Sequence, residues 1–266
     1  MILFFLFLNI FSFTFSQIPP ELKAKKVPLF IRKNVKKLSK FLTKDELTDS
    51  AKVRQISLWV VNVIKYDVKN YVRYSEKMYS PKRILKRRKA VSSGYCDLFT
   101  ALCRESGLTA MTVTGYSKSG GYDFGDVFFN TNHCWNMVKV NGEWKQMDLT
   151  WAAGSIIRKR SVKMKARKFL KKPNIKDKLV FKRDVSDFWL TRNAKQFFFK
   201  HCPGDPVYLL LNKQNCMDVF ENLNTRPDNT SPLSHDSVLK AYKQNFETAA
   251  YATEPDPRSI MDRVTR

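Results

Sequence analysis

The stretch HCWNMVKVNGEWKQMDLT, residues 133–150, constrains this chain more than any other. Asn141-Gly142 between two strand-like runs is the strongest short-range signal for a two-residue hairpin turn, because such turns need positive φ at their central residues. Val140 then pairs with Glu143, and the register of the flanking strands follows. Trp135 falls opposite Asp148, and His133 opposite Thr150. His133 and Asp148 share one face as diagonal neighbours, about 7–8 Å apart between backbones, a gap an imidazole and a carboxylate can close. Cys134 alternates to the other face, where a packed thiol is the expected role.

A second segment, AVSSGYCDLFTALC (90–103), predicts a helix that begins at two serines. Ser92 or Ser93 can cap it, and Tyr95, Leu98, Phe99, Leu102 and Cys103 follow its three-to-four period. Gly107 is placed to end it in a left-handed conformation. LTAMTVT (108–114) reads as a strand. AKVRQISLWVVNVIKYD predicts another helix, capped by Asp49 or Ser50, with Val53, Ile56, Val60, Val63 and Ile64 on a stripe that Trp59 widens. Residues 22–42 suggest a surface strand or short helices. A base, an orienting acid and a helix N-terminus are the parts of acyl transfer by a thiol, and a satisfied structural His–Asp pair has the same spacing.

Five cysteines, at 96, 103, 134, 202 and 216, form no Cys-x-x-Cys pair, so the spacing suggests no zinc cage. Neither a metal site nor a cofactor motif is legible. Cys96 and Cys103 stand about 10 Å apart along one helix, too far to bridge each other. Cys202 with Cys216 is the expected disulfide in an oxidising compartment.

Residues 1–16 hold no charged residue and end in Thr14-Phe15-Ser16, a small-x-small cleavage pattern that predicts a secretory signal peptide. Secretion is the expected localisation, and Asn229-Thr230-Ser231 is then a glycosylation acceptor. The net charge of +24 is concentrated in two places. Residues 17–91 carry 21 Lys/Arg against 6 Asp/Glu, and residues 155–183 carry 13 against 1. Such clusters fit an acidic protein or polymer, or an anionic membrane surface, as partner. No motif points to specific nucleic-acid binding. The basic run beyond Gly154 reads as a long loop or exposed helix, and from about residue 224 the chain reads as a loose tail with one helix near 236–249.

GYCDLFTALCRESGL, VTGYSK, HCWNMVKVNGEWKQMDLTWAAG and DFWLTRNAKQFFFKHCPGDPVYLLLN together resemble the transglutaminase-like domain of the kyphoscoliosis peptidase and cytokinesis-associated group. The resemblance covers about residues 40–224, after a leader (1–16) and a basic extension (17–39), with a basic insertion at 155–183 and a tail at 225–266. It implies an α+β, papain-like fold in which a central helix carries the nucleophile and packs on an antiparallel sheet bearing His and Asp. His133 and Asp148 fall on the family's pair. The family usually reads Gly-Val-Cys-x-Gly-Tyr-Ala, whereas this chain reads Ala90-Val91-Ser92-Ser93-Gly94-Tyr95-Cys96, so Ser92 occupies the cysteine position. Three readings stay open: a pseudoenzyme retained for binding, a serine nucleophile at Ser92, or Cys96 acting from one turn deeper. A hydrolase or transamidase working with His133 and Asp148 is what the second and third imply.

Overall fold

The computed structural model describes residues 24–73, 79–119, 122, 126–163, 174–190, 194–210 and 216–222. The leader, the glycosylation sequon and the tail with its expected helix lie outside the described residues. Helices α1 (Val35–Thr43) and α2 (Asp49–Val63) lead into strand β1 (Lys65–Tyr66), helices α3 (Val68–Val72) and α4 (Pro81–Arg87), and strand β2 (Lys89–Ala90). Helix α5 (Ser92–Glu105) is followed by strands β3 (Ala110–Ser117), β4 (His133–Val140) and β5 (Glu143–Met147). Helix α6 (Leu149–Ala153), strands β6 (Gly154–Lys163) and β7 (Asn174–Arg183), helix α7 (Ala194–Phe198), strand β8 (His201–Pro203) and helix α8 (Cys216–Asn222) complete it.

The hairpin forms in the register its turn dictates, from Val140↔Glu143 to Asn136↔Met147. Asn141 (φ 51°) and Gly142 (φ 88°) supply the two positive angles. The strand stops sooner than expected. Asp148 N donates to Trp189 O (2.9 Å) instead of across the hairpin, and Asp148 then caps α6, so Thr150 is helical. His133 pairs on its other side with Gly115 of β3. The sheet runs β5-β4-β3-β8, antiparallel throughout.

Helix α5 lies on one face of that sheet, with Leu98, Phe99 and Leu102 fully buried against α1 and α2 residues such as Leu38, Leu42, Ile56 and Trp59. Helix α1 thus crosses residue 40 and contributes to the core on both sides of it. Strand alternation sorts β4: Val138 joins this helical core, whereas Trp135 and Met137 pack on the opposite face with Val113 and Phe197. A β-carbon on Gly115 would meet Cys202 O at 2.3 Å and the Trp135 ring at 2.6 Å, so only glycine lets β3 sit between β4 and β8.

Several local expectations need correction. Helix α2 is capped by Thr48, whose hydroxyl accepts from Ala51 N (3.2 Å), not by Asp49 or Ser50. Neither Ser92 nor Ser93 caps α5. The cap is Val91, whose carbonyl already accepts from Tyr95 N (3.1 Å). Parallel pairing of β1 with β2 and the bond from Tyr95 Oη to Ile64 O (2.6 Å) hold the chain so that the helix starts one residue early. Gly107 does end α5 at positive φ.

Residues 155–163 and 174–183, expected as a long loop or exposed helix, form instead the two-stranded ribbon β6–β7, paired from Gly154↔Arg183 to Lys163↔Asn174, and residues 164–173 lie outside the described ones. Its β-forming residues, including Ile156↔Phe181 and Ile157↔Val180, are interleaved with the basic ones. At its base the Arg183 guanidinium donates to Val61 O and to Ile64 O (2.8 Å), satisfying carbonyls at the end of α2. Cys202 is in the thiol form, so the expected bridge to Cys216 is not made; the Cys216 side chain lies outside the described ones. Among the described residues no helix is long and apolar enough to cross a membrane.

Candidate active site

The hairpin and the helix tip meet at one end of the sheet. His133 Nε2 lies 2.7 Å from Asp148 Oδ2, the contact expected of the two side chains, although Asp148 has left the ladder with β4. The sequence reading missed a third member: His201 Nε2 lies 3.0 Å from the same oxygen. Asp148 Oδ1 accepts from Thr150 N (2.8 Å) and Trp151 N (3.0 Å), so the buried carboxylate has four donors around it. No spacing rule could place His201, because β8 reaches the site by pairing with β3 far along the chain.

Burial alone would raise the Asp148 pKa, but the two imidazoles outweigh it and hold the carboxyl well below the usual carboxylate range. Burial works against the charged form of His133 too, and the charge and hydrogen bond of Asp148 reverse the balance, giving a net rise. His201 goes the other way. Enclosed by Trp151, Trp189, Trp135 and Phe197, it is desolvated on all sides and its pKa falls to about 4, despite Asp148. The bond from its Nε2 to the Asp148 carboxylate fits a neutral ring that donates from that nitrogen. His133, Asp148 and His201 also form a group that could in principle ligate a cation. Both Nε2 atoms are directed at one carboxylate oxygen at hydrogen-bond distance, and hydrogen bonding accounts for the cluster.

Ser92 stands at the first position of α5, half-buried, with its hydroxyl not used in capping. Cys134 Sγ donates to Ser92 Oγ at 3.5 Å. Among the described residues Ser92 Oγ has no hydrogen bond to His133. Strand alternation explains the pairing: Cys134 and Asn136 face α5, where Asn136 Nδ2 donates to Cys96 O (3.2 Å), while His133 and Trp135 take the other side. Cys134 is indeed buried on the face opposite His133, but it touches the site.

Cys96 is 2% exposed, and burial with the adjacent Cys134 thiol pushes its pKa well above the ordinary thiol value. That environment suppresses the thiolate a nucleophile needs. Cys134 moves the opposite way, to about 7, through hydrogen bonds with Cys96 and Ser92 and the charge of His133, against the effect of burial.

A helix seated on an antiparallel sheet, with His and Asp joined beside the helix tip, defines a papain-like, transglutaminase-like α+β fold. The family model described as Transglutaminase-like superfamily matches residues 36–149. Human kyphoscoliosis peptidase is 30% identical over 182 residues, covering 68% of this chain and 25% of that protein. Hillarin of Drosophila melanogaster is 27% identical, covering 66% of this chain and 20% of its own length. A crystal structure of a TGase shares 18% identity at a TM-score of 0.32, covering 46% of this chain and 31% of that one. This chain carries a transglutaminase-like domain of the kyphoscoliosis peptidase type, and it spans about a quarter of the length of the curated relatives it matches.

Proposed function

We propose that this domain is a secreted pseudoenzyme, a transglutaminase-like fold kept for binding rather than for acyl transfer. One observation carries the reading: at the helix tip, where the family has a thiol, stands a hydroxyl whose hydrogen-bond partner among the described residues is the Cys134 thiol and not the His133 imidazole. A serine hydroxyl is far less acidic than a thiol and needs that base in contact. Cys96 is no substitute, being buried with its thiol proton held more tightly. The intact His133–Asp148 pair supports the alternative, an acyl transferase that uses Ser92. The charge-free leader supports secretion.

The ribbon β6–β7 supports a polyanionic or acidic protein partner. Lys159 stands directly opposite Lys178, both exposed. Like charges facing each other across a ladder are unfavourable alone and favourable once a polyanion lies over them.

Turnover tests the proposal. Wild type and His133→Ala are assayed with a peptidyl-glutamine and an activated ester as acyl donors, with water or an amine as acceptor. Equal background rates are expected; turnover that disappears with His133→Ala would overturn the pseudoenzyme reading.

A further inference from the structure

Residues 24–44 hold eight Lys/Arg and no Asp/Glu. Within that run the chain makes a tight turn before α1. Ile31 N donates to Pro28 O and Asn34 N to Ile31 O, both at 3.1 Å, and Arg32 Nε donates to Val27 O at 2.6 Å. Val27 is buried and Ile31 packs on the helical core, so both shoulders of the turn are fixed. Between them Leu29 and Phe30 face outward, 68% and 79% exposed. A solitary exposed leucine is ordinary, but two large apolar side chains held next to each other on a bonded turn have little backbone freedom left to lose on binding.

Positive charge surrounds them. Lys26, Lys33, Lys36, Lys37 and Lys40 are exposed and form no ion pair among the described residues. Lys25 reaches Glu46 (2.6 Å), past the far end of α1. The first turn of α1 holds no acidic residue, although the helix dipole would favour one there, and neutral Asn34 caps it by accepting from Lys37 N. Leu47 supplies the contrast: it is 97% exposed but stands among Asp45, Glu46 and Asp49.

We propose that the turn at 28–33 is a peripheral anchor for anionic bilayers, with Leu29 and Phe30 entering the interface and the surrounding lysines held at the headgroups. A soluble polyanion would neutralise the lysines and leave both apolar side chains in water. A bilayer surface offers a negative layer with an apolar layer behind it, and so satisfies both features at once. The turn is separate in sequence from the ribbon β6–β7, and its binding rests on the acidic-partner reading only in sharing a negatively charged target.

The test mixes the full chain with vesicles of phosphatidylcholine, with or without phosphatidylglycerol, and measures the bound fraction by sedimentation. Neutral vesicles report the contribution of the charge-free leader, and binding is expected to rise with phosphatidylglycerol. Leu29→Ser with Phe30→Ser should lower that charge-dependent partition coefficient about tenfold or more. Its thermal midpoint should match wild type, because both side chains are exposed. Lys33→Glu with Lys37→Glu should weaken vesicle binding too, whereas Leu47→Ser should bind like wild type. On heparin the Leu29→Ser, Phe30→Ser variant should be retained as wild type is. Vesicle binding unchanged in that variant, or weakened equally by Leu47→Ser, would overturn the proposal. Heparin retention reduced in step with vesicle binding would overturn it in favour of a soluble acidic partner. Lys159→Glu with Lys178→Glu alters the ribbon alone, so failure of that surface is read separately.

Discussion

Asp148 Oδ2 accepts from both His133 Nε2 (2.7 Å) and His201 Nε2 (3.0 Å), so one buried oxygen joins strands that meet only through the sheet. The two rings titrate in opposite directions because Asp148 serves them unequally. His133 keeps 8% side-chain exposure, and Asp148 dominates its protonation; His201 keeps none, and desolvation dominates.

That contrast predicts an acid-labile fold. The folded His201 pKa of about 4 lies below the ordinary 6.5, so between those values the unfolded chain binds a proton that the folded one refuses. Stability falls as pH drops through that window, by about 2–3 kcal/mol between pH 6.5 and 4.5. The raised pKa of His133 acts oppositely: its contribution is complete below the unfolded value and is lost as pH rises through the folded one. Urea unfolding of wild type and His201→Gln at several pH values checks this. The variant should show a flatter acid limb, and an unchanged limb would reject the assignment.

Replacing Asp148 should cost far more than replacing Ser92. Asp148→Ala leaves two imidazoles and two backbone N–H groups without their acceptor, a loss of about 3–5 kcal/mol by analogy with broken buried pairs. Ser92→Ala removes one weak, half-buried hydrogen bond and should change stability by about 1 kcal/mol or less. Denaturant midpoints of the two variants make the comparison, and similar losses would mean that the network is not the anchor described.

Gly115 should tolerate no side chain. Its β-carbon would strike the backbone of β8 and the ring of Trp135, the two elements that seat His201 and flank His133. Gly115→Ala is expected to destabilise by about 1–3 kcal/mol through overpacking, and to shift the His201 imidazole resonances. Unchanged histidine spectra would show that β8 does not depend on this approach.

The polyanion reading predicts salt-sensitive retention on heparin or on vesicles rich in anionic lipid. Lys159→Glu with Lys178→Glu, exposed partners on the ribbon, should elute at clearly lower salt with an unchanged thermal midpoint. Elution of wild type that does not respond to salt would remove the electrostatic part of the account.

The hairpin and its pair were legible because turn chemistry sets register, and register sets faces: Asn141-Gly142 fixes the ladder as far as Asn136↔Met147, which brings Asp148 to the side of β4 that carries His133. Legibility ended where tertiary contacts override local pattern. Trp189 takes the Asp148 N–H that would have extended β5, and β1–β2 pairing makes Val91 rather than a serine the cap of α5. The ribbon was hidden because clustered basic residues, Arg158-Lys159-Arg160 on one strand and Lys176, Lys178, Lys182 and Arg183 on the other, obscured its isoleucines and valines. His201 left no signal, since a short strand inserted from distant sequence carries no periodicity.

Labelling of Ser92 by a serine-directed fluorophosphonate tests the central claim most directly. Located by mass spectrometry and compared between wild type and His133→Ala, the hydroxyl is predicted to stay unmodified in both. A Ser92 adduct in wild type that vanishes with His133→Ala would contradict the account, because the pair would then be activating the oxygen at the helix tip.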